Sequence, residues 1–173
     1  MKSVLVVDDE KSVRDSIKMI LEYDKYDVQF AADGPSALTK AAGTPFDVVL
    51  LDIKMAGMDG LRVLKIIKEK TPELPVVMIS GHGTIETAVE ATKLGAFDFL
   101  QKPLDRERLL ITVRNAIQAK ELMTEVKEMK DLVEGKDVII GESPKIKDVL
   151  TIIERVAPTE ARVLIVGENG SGK

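Results

Sequence analysis

Five residues of this 173-residue chain have side chains suited to phosphoryl and metal chemistry, and all five stand in one kind of place. Asp8, Asp9, Asp52, Ser80 and Lys102 each follow, or end, a short apolar run. Ser3–Val7 leads into Asp8-Asp9-Glu10, Val48–Leu51 into Asp52, Pro75–Ile79 into Ser80, and Phe97, Phe99 and Leu100 into Lys102-Pro103. Three carboxylates brought together repel one another and destabilise a fold unless a cation joins them. A hard divalent ion with oxygen ligands suits such a group. Mg²⁺ keeps several waters while taking one or two carboxylates and a phosphate. An aspartate can also act as a nucleophile and form an acyl phosphate. A lysine ammonium and a serine hydroxyl could then stabilise the phosphoryl oxygens. Any one of these residues alone reads as a capping aspartate or a solvated lysine. Five of them at the ends of four runs point to a site.

That argument needs an architecture that gathers the run ends. Val48-Val-Leu-Leu51 is continuously apolar, as befits a strand buried on both faces at the centre of a parallel sheet. Ser3–Val7, Asp27–Ala31, Pro75–Ser80 and the segment from Phe97 to Lys102 are further short strands. Between them lie helical spacings. Val13, Ile17, Ile20 and Leu21 mark residues 11–22, and a helix opened by Gly34-Pro35 runs to Gly43. Leu61, Leu64 and Ile67 share a face from about Gly60, and a weaker helix covers Thr84 to Leu94. Strands alternating with helices of about a dozen residues predict an α/β fold, a doubly wound five-stranded parallel sheet. Parallel strands bring all their carboxyl ends to one edge, where open α/β sheets bind ligands.

Bulk properties narrow the function. The net charge of -4 argues against a nucleic-acid surface in this segment, since phosphate contacts need basic residues. The absence of cysteine excludes disulfides and thiolate metal sites. A strand beginning within a few residues of Met1 leaves no room for a signal peptide. No apolar stretch approaches the roughly 20 residues of a membrane span. A cytoplasmic protein without membrane contact is expected. His82 is the one histidine, set between two glycines, and reads as a loop residue; a phosphohistidine donor would belong to another protein.

Residues 1 to about 120 resemble the receiver domain of two-component response regulators. The likeness rests on Val-Asp-Asp-Glu at 7–10, the Asp52 strand with Gly57 and Asp59-Gly60 behind it, Ser80-Gly81, and Lys102-Pro103. It implies a flavodoxin-like fold, with Asp52 as phospho-acceptor served by a histidine kinase. It implies Mg²⁺ held by Asp9 directly, by Asp8 mainly through water, by Asp52, and by the backbone carbonyl of Lys54. Lys102 resembles the phosphate-binding lysine, Ser80 the switch hydroxyl and Phe99 the aromatic that moves with it. A helix starting at Leu104 would change its packing face as that ring moves. Lys102-Pro103 is commonly a cis peptide in the family. Ala56 stands where the family often has proline. The resemblance implies self-catalysed phosphoryl transfer onto Asp52, not a turnover enzyme.

From Leu104 to about Val133 there is no Gly or Pro, so an extended C-terminal helix is expected. Leu109, Val113 and Ala116 have a phase suited to packing on the sheet. Ala119, Leu122, Val126, Met129 and Val133 follow the 3-4 spacing of a coiled-coil seam. A single amphipathic helix lying on its own domain is the alternative. Beyond Gly135, Ser143-Pro144 can start a helix carrying Ile146, Val149, Leu150 and Ile153. Arg162–Val166 reads as a strand entering Gly167-Glu-Asn-Gly-Ser-Gly-Lys173, a Walker A loop as far as its lysine. Gly167, Gly170, Gly172 and Lys173 would surround phosphates of ATP, which only the full-length protein could bind completely. Residues 138–173 resemble the start of the AAA+ domain in NtrC-type activators of sigma-54 RNA polymerase. The expected organisation is a receiver over 1–120, a helical and dimerising linker over 121–137, and a truncated AAA+ start over 138–173. A chain ending inside its P-loop is expected to be a piece of a longer one, with poor order from about 138 onward. Contact with sigma-54 RNA polymerase and DNA would run through missing C-terminal domains. Two rivals are a P-loop ATPase with a purely structural receiver, which the intact Asp8, Asp9, Asp52, Ser80 and Lys102 oppose, and a signalling relay without transcriptional output, which the Walker A start opposes.

Overall fold

The apolar runs pair side by side as five parallel strands: β1 (Ser3–Val7), β2 (Asp27–Ala31), β3 (Val48–Asp52), β4 (Val76–Ser80) and β5 (Asp98–Gln101), in the order β2-β1-β3-β4-β5. The helices α1 (Lys11–Tyr23), α2 (Gly34–Gly43), α3 (Gly60–Lys70), α4 (Ile85–Lys93) and α5 (Arg106–Glu134) alternate with them. This computed structural model describes residues 2–81, 84–134, 143–159 and 162–164, with the backbone alone over 131–134. Doubly wound packing follows from strand alternation, because successive side chains point to opposite faces. Leu5, Val7, Val49, Leu51, Val76 and Met78 face one side, against Ala37 of α2, Val63, Leu64 and Ile67 of α3, and Ala91 of α4. Val4, Val6, Val48, Leu50, Val77 and Ile79 face the other, against Ile17 and Leu21 of α1 and Leu109, Val113 and Ala116 of α5. β3 and β4 are buried along their whole length, which is why their sequences are apolar without alternation. Each such Leu or Ile contributes about 1.5–3 kcal/mol by leaving water.

Polar residues set the element ends. Asp33 caps α2 by accepting from Ser36 N at 2.7 Å, and Asp59 caps α3 by accepting from Leu61 N at 2.9 Å. α5 begins at Arg106, later than the expected Leu104, because Asp105 accepts from Arg108 N at 2.9 Å and so caps the helix there. β5 is likewise shorter than expected, starting at Asp98, although Phe97 N still donates to Val76 O at 2.7 Å. The peptide between Lys102 and Pro103 is cis.

The first part of α5 lies on the sheet, and polar ties hold it as far as residue 121. Lys120 Nζ donates to Phe46 O at 2.6 Å, and Lys2 Nζ pairs with Glu121 at 2.5 Å. From residue 121 to 130 every position is exposed, including Leu122, Val126 and Met129.

The chain divides into two compact units, 1–128 and 129–173. In the second, α6 (Pro144–Val156) starts where expected, with Ser143 Oγ accepting from Ile146 N at 3.3 Å. Residues 138–142, 160–161 and 165–173 of the stretch expected to be poorly ordered lie outside the described residues. Arg162–Leu164 carries no strand, and the rest of the strand expected over 162–166 lies outside the described residues. His82 and the Walker A residues Gly167, Gly170, Gly172 and Lys173 lie outside the described residues. Among the described residues no helix is long and apolar enough to cross a membrane.

Candidate functional site

Strand register assembles the site at the carboxyl edge of the sheet. Val7 pairs with Leu51 and Asp52 with Ile79, so Asp8 and Ser80 emerge on either side of the β3 terminus. Ser80 pairs with Gln101, and Lys102 N donates to Ser80 O at 2.8 Å, which carries β5 to the same edge. Oxygen atoms of Asp8, Asp9 and Asp52 all lie within 4.8 Å of one another. Asp8 is fully buried and Asp52 nearly so, whereas Asp9 is exposed.

Local structure fixes each carboxylate. Asp8 Oδ1 accepts from Glu10 N at 2.8 Å, and the Asp8 carbonyl accepts from Arg14 Nη1 at 2.6 Å. Asp9 Oδ2 accepts from Ala56 N at 3.1 Å, which ties the loop after β3 to the loop after β1. Lys54, exposed in that bend, sits between Ala56 and the strand end. Gly60 keeps the loop close: its N–H donates to Ile53 O at 2.8 Å, and a Cβ there would fall 2.0 Å from Asp52 O. Only glycine fits that approach.

Lys102 supplies the cation. Its Nζ stands 2.8 Å from Asp8 Oδ2, 3.4 Å from Glu10 Oε1 and 3.5 Å from Asp52 Oδ1. Burial pulls the ammonium down, but Asp8, Asp52 and Glu10 together outweigh it and raise its pKa, so Lys102 is charged at neutral pH. Burial pushes the Asp52 carboxyl up to about 6; Lys102 opposes that rise, while Asp8 and Asp9 add to it. One lysine therefore does not balance this pocket.

The donor set fits a hard divalent cation. Asp8 Oδ2 is buried without an aligned hydrogen bond, although Lys102 approaches it, and carboxylates of both open and buried character converge on one point. Asp8, Asp9 and Asp52 could hold Mg²⁺ with waters completing its shell.

Ser80 is buried at the edge as its strand position requires. Phe99 is half-buried, but its surroundings differ from expectation. It packs on the cluster that contains Ala91 of α4, beside Leu94 and Ala96, whereas Leu100 joins the cluster of α5. Successive β5 side chains alternate, so the ring faces away from α5. Its movement would reach α4 first. The α5 helix meets β5 through Leu100 and through two polar contacts: Arg108 Nη2 donates to Phe99 O at 3.4 Å and Thr112 Oγ1 to Asp98 Oδ2 at 3.3 Å. Two site contributors went unassigned in the sequence, Arg14 and the Glu10 side chain. A basic residue one helical turn past an N-cap was a signal for the first; for the second only the position next to Asp9 spoke.

Comparison with known proteins agrees with this geometry. The profile of the response regulator receiver domain matches residues 4–114, and that of the sigma-54 interaction domain matches residues 139–173. The nitrogen assimilation regulatory protein NtrX of Azorhizobium caulinodans is 43% identical over 172 residues, 98% of this chain and 38% of that protein. The transcriptional regulatory protein ZraR of Escherichia coli K12 is 39% identical over 170 residues, again 38% of its length. The chain thus spans little more than a third of the curated relatives it matches. Among solved structures, NtrX from Brucella abortus superposes with a TM-score of 0.71 at 41% identity, covering 98% of this chain and 38% of that one. The beryllofluoride-activated NtrC4 receiver domain dimer gives 0.67 at 42% identity, covering 69% of this chain and 99% of that one. This chain belongs to the response regulator receiver family and, with the start of a sigma-54 interaction domain behind the receiver, to the NtrC-type two-component regulators.

Proposed function

We propose that Asp52 accepts a phosphoryl group from the phosphohistidine of a partner kinase, and that its state governs an AAA+ ATPase acting on sigma-54 RNA polymerase. The observation that carries this reading is a buried acceptor carboxylate at a strand end, between two further carboxylates and bridged by one lysine. An Asp52 carboxylate oxygen attacks phosphorus and forms a P–O bond. The P–N bond to the donor imidazole breaks, its electron pair stays on nitrogen, and solvent supplies that nitrogen's proton. Mg²⁺, when held by Asp8, Asp9, Asp52 and the Lys54 carbonyl, supplies charge neutralisation for the phosphoryl oxygens. Lys102 trades part of its carboxylate contact for a phosphoryl oxygen, and Ser80 donates its hydroxyl to another. The transfer is self-catalysed and ends on the protein, so this chain is not a turnover enzyme. A groove lined by Val13, Ile17, Ile20, Pro103 and Leu104 opens beside Lys102 and offers the kinase segment an apolar seat.

The exposed Leu122, Val126 and Met129 suit a homodimer along α5 and the receiver, in the cytoplasm where sigma-54 RNA polymerase works. ATP binding and contacts with polymerase and DNA belong to the full-length protein. The test is intact mass after incubation with a small phosphodonor and Mg²⁺. One phosphoryl group is expected in the parent and none in Asp52→Asn; equal labelling of the variant would refute the assignment.

A further inference from the structure

Glu10 is the one residue at the Lys102 ammonium that the reading above leaves without work. It occupies the N-cap position of α1, where a side chain usually accepts from a helix N–H, yet its carboxylate makes no such bond. It reaches instead to Lys102 Nζ, 3.4 Å away, from the solvent side of the site. The other two carboxylates on that ammonium are nearly or fully buried, whereas the Glu10 side chain is 62% exposed. Its charge therefore stands on the exposed side of the ammonium, 3.4 Å from the nitrogen that also lies 3.5 Å from the Asp52 oxygen an incoming phosphoryl donor must approach.

Resting on the acceptor reading of Asp52, we propose that Glu10 is a specificity-determining residue, whose negative charge at the mouth selects against the more highly charged small phosphodonors. A fixed like charge repels a dianion more than a less charged donor, and the cost falls as salt screens it. The Lys102 contact keeps that charge at the mouth rather than free in solvent. An exposed ion pair is weak, so an arriving phosphoryl group can displace Glu10 and take its place on the ammonium. The carboxylate thus discriminates during approach without obstructing the product. Donors presented by a protein partner, buried in an interface, would escape most of this discrimination.

The test uses the whole chain with Mg²⁺ at neutral pH, comparing the parent with Glu10→Gln, which keeps the shape and removes the charge. Initial phosphorylation rates are read by intact mass with acetyl phosphate, a dianion, and with phosphoramidate, which is less charged. At low ionic strength the variant should be about fivefold faster with acetyl phosphate and about twofold faster with phosphoramidate, an order-of-magnitude expectation from one removed charge. The difference between donors should shrink at about 0.5 M salt, where the screening length falls to about 4 Å. Glu10→Ala should reproduce the shift, since the charge and not the amide is at issue. A parent-like ratio of the two donor rates in Glu10→Gln, or a changed ratio indifferent to salt, overturns the proposal. A parent that gains no mass from either donor overturns the acceptor reading itself, and this inference with it.

Discussion

Asn in place of Asp52 should make the cation-free protein more stable at neutral pH, although it removes the acceptor. The carboxyl is held at about 6 by burial, against an ordinary value of 3.8. At about 1.4 kcal/mol per pH unit, that difference corresponds to about 3 kcal/mol. The sign follows from proton counting. Between pH 4 and 6 the folded chain holds the Asp52 proton and the unfolded chain has released it. Raising the pH through this window therefore favours unfolding, and stability falls until the folded carboxyl has ionised near 6. Asn carries no charge at any pH and lacks this slope. In chelator, denaturant unfolding followed by circular dichroism should give a parent-minus-variant difference that grows from pH 4 to 6. It should then stay level to pH 8 at up to about 3 kcal/mol in favour of Asn. Carboxylates away from the site titrate alike in both proteins and cancel in the difference, whereas Asp8 and Asp9, relieved of a like charge in the variant, add to the advantage of Asn. Mg²⁺ should return most of the deficit to the parent by binding only the folded, ionised site. Parallel stability curves for the two proteins in chelator, or a variant less stable at pH 7.5, would refute the reasoning.

Three further outcomes follow from the same geometry. Asp9→Ala should lose most of the parent's Mg²⁺-induced rise in melting temperature; an unchanged rise would remove Asp9 from the ligand set. Gly60→Ala places a methyl 2.0 Å from the Asp52 carbonyl oxygen, so it should cost at least about 2 kcal/mol in denaturant unfolding; a loss below about 0.5 kcal/mol would show the loop to be free to shift. Val126→Glu, at an exposed position of α5, should leave the melting of the receiver unchanged and weaken dimerisation in light scattering; an intact dimer would place the interface elsewhere.

The sheet was legible because its central strands are uniformly apolar and each ends in a polar residue. Those two facts together also locate the site: Asp8, Asp52, Ser80 and Lys102 meet because parallel register leaves them nowhere else to go. Phe99 was misjudged in direction. Its place in the chain sets it just before α5, but strand alternation turns the ring to the α4 side, and periodicity was weak over a strand of four residues. Glu10 could not be assigned from sequence, because its partner is 92 residues away and its charge suits an ordinary solvated helix start. The ties of Lys2 to Glu121 and of Lys120 to the Phe46 carbonyl are equally silent in the sequence, being exposed charges until the fold brings them together. They hold α5 to the receiver as far as residue 121.

The central claim is that a single buried aspartate becomes an acyl phosphate. Phosphorylated chain can be reduced with borohydride, which converts an aspartyl phosphate to homoserine, and the product mapped by peptide mass spectrometry. Homoserine at position 52 alone is the predicted result. Homoserine at Asp8 or Asp9, or a phosphoryl group that survives borohydride on a hydroxyl side chain, would contradict the account.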